Sequence, residues 1–167
     1  MSGENTNYVS YLVERSQNGV RNAFFDLCEI NLNNVFNLIC RLMADYELAK
    51  KITLDVFYHA WETIKEFKSD TSYLLWIKDL AIKYSLFELN RDGLITYNKN
   101  IDKPDEDPHQ YLEQLMMSLP DEDRVILVLH DIEGYTYEEI NTYLTDYSHD
   151  EIKSKLINTR EYLLSKL

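Results

Sequence analysis

Residues 134–156 read GYTYEEINTYLTDYSHDEIKSKL and contain the same helix-start signal twice. Thr136 is followed three residues later by Glu139, and Ser148 is followed in the same way by Glu151. In such a capping box, the hydroxyl accepts a hydrogen bond from one free amide at the helix start, and the glutamate accepts one from another. The stretch therefore predicts two helices, each beginning directly after the hydroxyl residue.

Only a short turn, at 145–147, separates these two predicted helices. Ile140 and Leu144 lie on the inward side of the first helix. The second helix carries a stripe of inward-facing residues at helical spacing, namely Ile152, Leu156, Thr159 and Leu163. This pattern is typical of a helix-turn-helix, whose second helix can enter the major groove of DNA. An ordinary helical hairpin fits the same spacing, so both interpretations stay open at this point.

The composition is that of a folded helical protein. Of 167 residues, 45% are hydrophobic and 28% are charged, which argues against a disordered chain. Four glycines and three prolines leave room for long amphipathic stretches, so an all-α fold is predicted. With 17 basic and 29 acidic residues the net charge is −12, which disfavours nonspecific binding of nucleic acid.

Several functional classes find no support in the residues. Cys28 and Cys40 are the only cysteines and form no Cys-x-x-Cys pair, and the four histidines are scattered, so neither a metal nor a cofactor is expected. No phosphate-binding loop or nucleophile motif is present, and adjacent helical residues such as Glu138 and Glu139 point apart. We therefore predict that the chain is not an enzyme.

The cellular location is predicted from two absences. The first seven residues have neither a basic start nor an apolar core, so no signal peptide is expected. The longest aliphatic run, at 125–129, is far too short to cross a bilayer. We expect a cytoplasmic protein with no membrane insertion.

The first half of the chain is predicted to form a helical bundle. Apolar residues recur at helical spacing in four stretches: 8–16, 20–43, 46–67 and 73–89. In the last of these, Tyr73, Ile77 and Phe87 are expected on the apolar face. This bundle would occupy residues 1–92.

The second half begins after a break in periodicity. An Asp92-Gly93 pair marks the break, and the acidic, proline-containing stretch KPDEDP follows it, so residues 93–110 are predicted to be a flexible linker. Helices are expected at 111–118 and 121–131, with Leu119-Pro120 between them and Gly134 ending the second. A second small domain is therefore predicted at 111–167.

Four motifs resemble those of a known family in both sequence and order. They are AKKITLDVFYHAW at 49–61, LPDEDR at 119–124, GYTYEEI at 134–140 and IKSKL at 152–156. The order resembles a bacterial RNA polymerase sigma factor of the extracytoplasmic-function type, the short branch of the sigma-70 family that has only regions two and four. The resemblance covers about 20–90 and 111–167, and by this resemblance the chain would be a divergent, acidic member of the family.

This resemblance implies both an architecture and a function. The bundle at 1–92 would be region two, and the domain at 111–167 would be the region-four helix-turn-helix. The chain would be a transcription initiation factor that binds core RNA polymerase and directs it to specific promoters through the −10 and −35 elements. An anti-sigma factor would be a further partner.

The resemblance also assigns roles to individual residues. Polymerase contact falls on Lys51, Leu54, Asp55 and Tyr58. Contact with the −10 element falls on Lys68, Ser69, Tyr73, Lys78 and Lys83. Contact with the −35 element falls on Lys153, Ser154, Lys155, Asn158 and Arg160, which are side-chain types that bind phosphates and base edges. Tyr73 is expected to stack on a flipped base, whereas Trp61 and Trp76 are expected in the core.

One alternative stays open, namely a degenerate sigma-like protein that binds polymerase or an anti-sigma factor without reading promoter DNA. Lys50 and Lys51 follow Ala49 where the family usually has acidic residues. In the second domain, acidic residues outnumber basic ones, and an acidic face weakens binding to phosphate. Both hypotheses predict the same fold.

Overall fold

The computed structural model describes residues 2–92 and 108–167 of the chain, and every regular element in these ranges is a helix. The all-α prediction is confirmed. The predicted linker, 93–110, falls outside the described residues except for its last three positions. The elements are α1 Ser2–Gln17, α2 Arg21–Met43, α3 Tyr46–Thr63 with a 3₁₀ turn Ile64–Glu66, α4 Tyr73–Asp92, α5 Pro108–Met117, α6 Asp121–Leu127 with a π turn Val128–Ile132, α7 Tyr137–Tyr143 and α8 His149–Lys166.

Most predicted helices are found, with shifts at their ends. Helix α1 begins at Ser2 rather than Tyr8, and α5 begins at Pro108 rather than Tyr111. Apolar periodicity locates the part of a helix that carries a packed stripe, and it leaves the exact ends of the helix undetermined. Proline fits the first turn of α5 because its missing amide would have no partner there.

The chain divides into two compact units. Unit one comprises residues up to Cys40 together with Asp45–Ser85, and unit two comprises Arg41–Ala44 together with Leu86–Leu167. The domain limits 1–92 and 111–167 remain a prediction.

The core of unit one is built from three helices whose apolar residues recur every three or four positions. Fully buried side chains are Leu27, Val35, Leu38 and Ile39 on α2, Ala49, Ile52, Val56 and Ala60 on α3, and Ile77, Ala81 and Ile82 on α4. Helix α3 begins at an Asp45 cap, whose carboxylate accepts a hydrogen bond from the Leu48 amide at 2.9 Å. Each helix thus turns one stripe inward and leaves its other face to solvent.

The expected position of Phe87 on the apolar face of α4 is wrong, because its side chain is 66% exposed. Ile77, Ala81, Ser85 and Glu88 occupy the buried positions instead. These four follow the 3.6-residue period, and Phe87 lies away from their line. Two of the inward residues are polar, so hydrophobicity did not reveal the true stripe.

Unit two is centred on α6 and the π turn that continues it. Every residue from Arg124 to Leu129 is buried, and Ile152, Leu156, Thr159 and Leu163 of α8 are buried as predicted. Gly134 has a φ of +80°, a conformation that favours glycine, and Tyr135 N–H donates to Leu129 O at 2.9 Å. This closing turn ends the α6 segment as the sequence predicted.

Arg124 is fully buried within unit two and has a partner for each group of its side chain. Nε and Nη2 donate to Leu42 O at 3.1 and 3.0 Å, and Nη1 donates to Leu119 O at 2.7 Å. Nη2 also forms an ion pair with Asp121, which is itself buried. A buried guanidinium is tolerated only when its donors are satisfied in this way.

Candidate nucleic-acid interface

The α7–α8 pair has the geometry that the capping signals predict. Glu139 N–H donates to Thr136 Oγ1 at 3.2 Å, and Thr136 N–H donates to Glu139 Oε2 at 2.8 Å. At α8, Glu151 N–H donates to Ser148 Oγ at 3.3 Å, and Ser148 N–H donates to Glu151 Oε2 at 2.8 Å. Both capping boxes are therefore complete, and each helix begins at its predicted residue.

The turn between the two helices is held by its own hydrogen bonds. Tyr147 N–H donates to Leu144 O at 3.2 Å, and the Asn141 side-chain amide donates to Tyr147 O. Ile140 is fully buried beneath the turn. The direction in which α8 leaves the turn is thus set by local contacts and by the buried stripe.

Helix α8 presents a polar face opposite that stripe. Lys153, Ser154 and Asn158 are exposed, and Lys153 has no ion-pair partner in the part of the chain that the structure describes. An ammonium, a hydroxyl and a carboxamide can bind phosphate oxygens and the edges of bases. These three predicted residues lie together on one surface.

Lys155, predicted for the same surface, is held by α6 instead. Its Nζ lies 3.0 Å from Glu122 Oε2 and 3.2 Å from Asp123 Oδ1, and it lies 5.3 Å from the centre of the Tyr147 ring. Partial burial lowers the pKa of Lys155, but hydrogen bonds to Glu122 and Asp123 outweigh burial and raise the pKa above its ordinary value. The lysine therefore stays charged and paired.

Tyr147 completes this group of residues. Its hydroxyl donates to the Glu122 carboxylate, which raises the pKa of Tyr147 to about 12. The same hydrogen bond, followed by the contact with Lys155, lowers the pKa of Glu122 below its ordinary value. The turn before α8 and the first turn of α6 are thus joined through one carboxylate.

Arg160 is paired in a similar way. Its Nε donates to Asp131 Oδ2 at 2.9 Å, and its Nη2 contacts the second carboxylate oxygen. His130 Nδ1 lies 2.7 Å from Asp131 Oδ1, and the His130 ring stacks on Tyr137 with 4.8 Å between ring centres. Arg160, more than His130, lowers the pKa of Asp131. The guanidinium is thus directed to the π turn.

The residues predicted to contact the −10 element lie in two places in unit one, the loop before α4 and the helix α4 itself. Lys68 and Ser69 are exposed in the loop before α4, and Lys83 is exposed but paired with Asp79 at 2.7 Å. Lys78 is half-buried. The loop therefore offers polar groups to a ligand, and α4 offers a cation that already has a carboxylate partner.

The expectation that Tyr73 stacks on a base is corrected, because its side chain is only 3% exposed. The ring packs with Phe67 and Trp76 in a cluster of three, with ring centres 5.9 and 5.5 Å away, and burial raises the pKa of its hydroxyl. Trp76 is half-buried, and so is Trp61, which packs against Phe24 at 5.1 Å. Aromatic packing has drawn the tyrosine into the core beneath the loop.

The four residues predicted for polymerase contact share one exposed face of α3. Leu54 is 72% exposed and Tyr58 is 66% exposed, with Lys51 and Asp55 exposed beside them. Their positions follow the pattern i, i+3, i+4 and i+7, so the side chains lie along one side of the helix. Two large apolar side chains in water on one face are typical of an interaction surface.

The acidic partners of Lys155 and Arg160 were not identified from the sequence as parts of this site. Residues 121–123 lie in the first turn of α6, where acidic side chains are favoured by the helix dipole, so their presence indicates no distant partner. Each ion pair joins residues that lie far apart in the chain, so no local spacing could have revealed it.

Two kinds of feature are absent from the described residues. No helix there is long and apolar enough to cross a membrane. In residues 2–92 and 108–167, no three side chains of the types that bind metals come together.

Comparison with known families and curated proteins gives consistent results. A family model described as Sigma-70, region 4 matches residues 109–144, which run from the second residue of α5 to the end of α7 and stop before α8. The chain is 26% identical to RNA polymerase sigma-H factor of Pseudomonas aeruginosa, with 90% of this chain and 89% of that protein aligned. It is 22% identical to ECF RNA polymerase sigma-E factor of Haemophilus influenzae, with 93% of each chain aligned.

Two solved structures have the same fold. The sigma factor RpoE, solved in complex with the anti-sigma factor NepR from Bartonella quintana, gives a TM-score of 0.61 at 14% identity, covering 85% of this chain and 94% of that one. CnrH in complex with the cytosolic domain of CnrY gives 0.61 at 15% identity, covering 95% and 96%. These structures share the fold of this chain, and the sequence relatives show that nearly its whole length is similar to RNA polymerase sigma factors, among them factors of the ECF type, with a sigma-70 region 4 match at 109–144.

Proposed function

We propose that this chain directs core RNA polymerase to a specific set of promoters, with α8 binding the −35 element. The observation that carries the proposal is the exposed polar face of α8, formed by Lys153, Ser154 and Asn158 behind a fully capped helix start. A recognition helix needs outward groups that bind base edges and phosphates, on a helix whose other face is packed. Lys155 and Arg160 lie at the two edges of this face.

Contact with the −10 element is proposed for the loop before α4. Lys68 and Ser69 are exposed there and can bind the backbone of a separated strand, with Lys78 and Lys83 farther along the helix. Tyr73 lies beneath the loop and would support it through Phe67 and Trp76 rather than stack on a base.

Polymerase binding is proposed for the exposed face of α3. Leu54 and Tyr58 supply apolar surface, and Lys51 and Asp55 supply charges at its edge. An interface of this kind gains most of its free energy from the buried apolar side chains, whereas the charges contribute to orientation.

An anti-sigma factor is proposed as a further partner. The two solved structures described above are complexes, one with an anti-sigma factor and one with the cytosolic domain of CnrY, which supports a protein partner for this chain as well. We expect the chain to act in the cytoplasm beside the polymerase and to have no enzymatic activity of its own.

The second hypothesis is that the chain binds polymerase or an anti-sigma factor but reads no promoter. It is supported by the carboxylates that neutralise Lys155 and Arg160 and by the net charge of −12. Carboxylates near the proposed DNA surface repel phosphate and reduce affinity.

Run-off transcription with core polymerase on genomic DNA from the source organism, with mapping of the 5′ ends, distinguishes the two hypotheses. Discrete start sites that appear only with this chain and share upstream elements would support promoter recognition. A stable complex with polymerase that produces no new start sites would support the second hypothesis.

A further inference from the structure

Three carboxylates of unit two form ion pairs with the basic side chains at the edges of the proposed DNA surface. Glu122 and Asp123, in the first turn of α6, bind Lys155, and Asp131, in the π turn, binds Arg160. The side chains of the three carboxylates are 28 to 30% exposed, and Lys155 is 31% exposed, so its ion pairs are partly shielded from water. Arg160 is 44% exposed, so its pair with Asp131 lies at the surface.

A carboxylate and a DNA phosphate bind a lysine or arginine through the same kind of contact, a charge-assisted hydrogen bond to oxygen. One cation can thus be bound by the carboxylate or by the phosphate, and each excludes the other in part. We propose that Glu122, Asp123 and Asp131 are internal competitors of DNA phosphate, which hold Lys155 and Arg160 away from DNA in the free chain.

This inference rests on the proposed function of α8 and adds a device that restrains it. In the free chain, Lys153 is the cation of the α8 polar face that remains available among the described residues. Nonspecific DNA binding scales with the number of phosphates that are neutralised, so a chain with two cations withheld binds DNA weakly. Promoter DNA that polymerase holds close to α8 can displace the carboxylates.

The geometry near Lys155 supports an exchange of partners. The lysine lies between two surface grooves of unit two, of about 450 and 310 Å³. The first is also lined by Asp123 and Thr159, and the second by Asp150 and Ser154. A change of side-chain torsions can move the ammonium from the α6 side to the side of Ser154, because lysine has a flexible four-carbon stem.

The test uses a double variant of the full-length chain, Glu122→Gln with Asp123→Asn, called the α6 variant. It is compared with the wild type. Fluorescence anisotropy measures binding to a random-sequence DNA duplex over a series of salt concentrations. Releasing Lys155 adds about one phosphate contact, so we expect roughly fivefold tighter binding near 0.1 M salt. The slope of log K against log salt should steepen by about one.

The matched control is Glu113→Gln with Glu138→Gln, which removes the same two charges from exposed positions on α5 and α7. Adding Lys155→Gln to the α6 variant should return the salt slope to the wild-type value. Asp131→Asn tests the Arg160 pair independently. Because it leaves the first turn of α6 unchanged, it provides a test even if the α6 variant does not fold.

Two results would overturn the inference. If the α6 variant and Asp131→Asn bind DNA no better than the control, while wild-type holoenzyme initiates at discrete promoters, the carboxylates do not restrain α8 and the proposed function stands. If wild-type holoenzyme selects no promoter, the proposed function fails and this inference fails with it.

Discussion

Lys155 Nζ lies 3.0 Å from Glu122 Oε2, and this ion pair joins the proposed recognition helix to the first turn of α6. The same carboxylate accepts a hydrogen bond from Tyr147 in the turn before α8. One acidic residue therefore contacts both the turn and the second helix of the helix-turn-helix. Glu122 and Asp123 interact favourably with the dipole of α6. In addition, they neutralise Lys155 at the edge of the proposed DNA surface.

Reversing two charges on α8 should abolish promoter-specific transcription. In Lys153→Glu with Lys155→Glu, two attractive groups become repulsive towards phosphate, and we expect a loss of roughly 100-fold or more in run-off transcript. Lys166→Glu, a charge reversal in the last turn of the same helix, is the control and should retain transcription. Unchanged transcription in a folded double variant would remove α8 from DNA reading.

Ser148→Ala should destabilise the chain through loss of the α8 cap. The substitution leaves the Glu151 amide without its side-chain acceptor, and a lost N-cap typically costs about 1 kcal/mol. Urea unfolding measures the change. Ser165→Ala, whose hydroxyl only donates to the Tyr162 carbonyl near the helix end, should change stability by much less. Equal effects in the two variants would show that the capping box contributes nothing.

Arg124→Met should unfold unit two more readily than any surface substitution. It leaves Asp121 buried without its partner, and breaking a buried ion pair typically costs about 3 to 5 kcal/mol. Adding Asp121→Leu removes the stranded charge, so the double variant should recover much of the loss. Thermal unfolding of the three chains tests this, and a double variant that is less stable than Arg124→Met would contradict it.

The Tyr147–Glu122 contact should depend on pH in the alkaline range. Its hydrogen bond raises the pKa of Tyr147 from 10.0 to about 12. A raised pKa means that the stabilisation is complete below pH 10 and is lost as the pH rises through 12.

Titration of ring-labelled tyrosines by NMR measures that pKa directly. Glu122→Gln should lower the pKa of Tyr147 towards its ordinary value, whereas Glu138→Gln should leave it unchanged. A Tyr147 pKa that does not respond to Glu122→Gln would mean that the two side chains are not hydrogen-bonded in solution.

Replacing the exposed apolar side chains of α3 by aspartates should weaken binding to polymerase without affecting the fold. Leu54→Asp with Tyr58→Asp replaces two exposed apolar side chains, and loss of such anchors should weaken binding by at least about tenfold. Copurification with core polymerase is the measurement. Leu32→Asp, on an exposed position of α2, is the control. Normal copurification of the double variant would place the polymerase contact elsewhere.

The sequence by itself determined the helices and the two capped starts of the helix-turn-helix. Thr136 and Ser148 each bind a glutamate three residues away, so the signal and the structure that it forms lie within one helical turn. The buried stripe of α8 follows from the same local periodicity. The periodicity placed Phe87 wrongly on the inward face of α4, because the polar residues Ser85 and Glu88 are the ones buried there.

Only the tertiary structure decided which predicted site residues are available to a ligand. Lys153 and Lys155 are alike in sequence, yet Lys155 is paired because α6 places Glu122 and Asp123 beside it. Tyr73 is buried because Phe67 and Trp76 close around its ring. Local spacing reports which face a residue occupies, whereas a partner contributed by another helix depends on how the chain folds back, which no short stretch of sequence encodes.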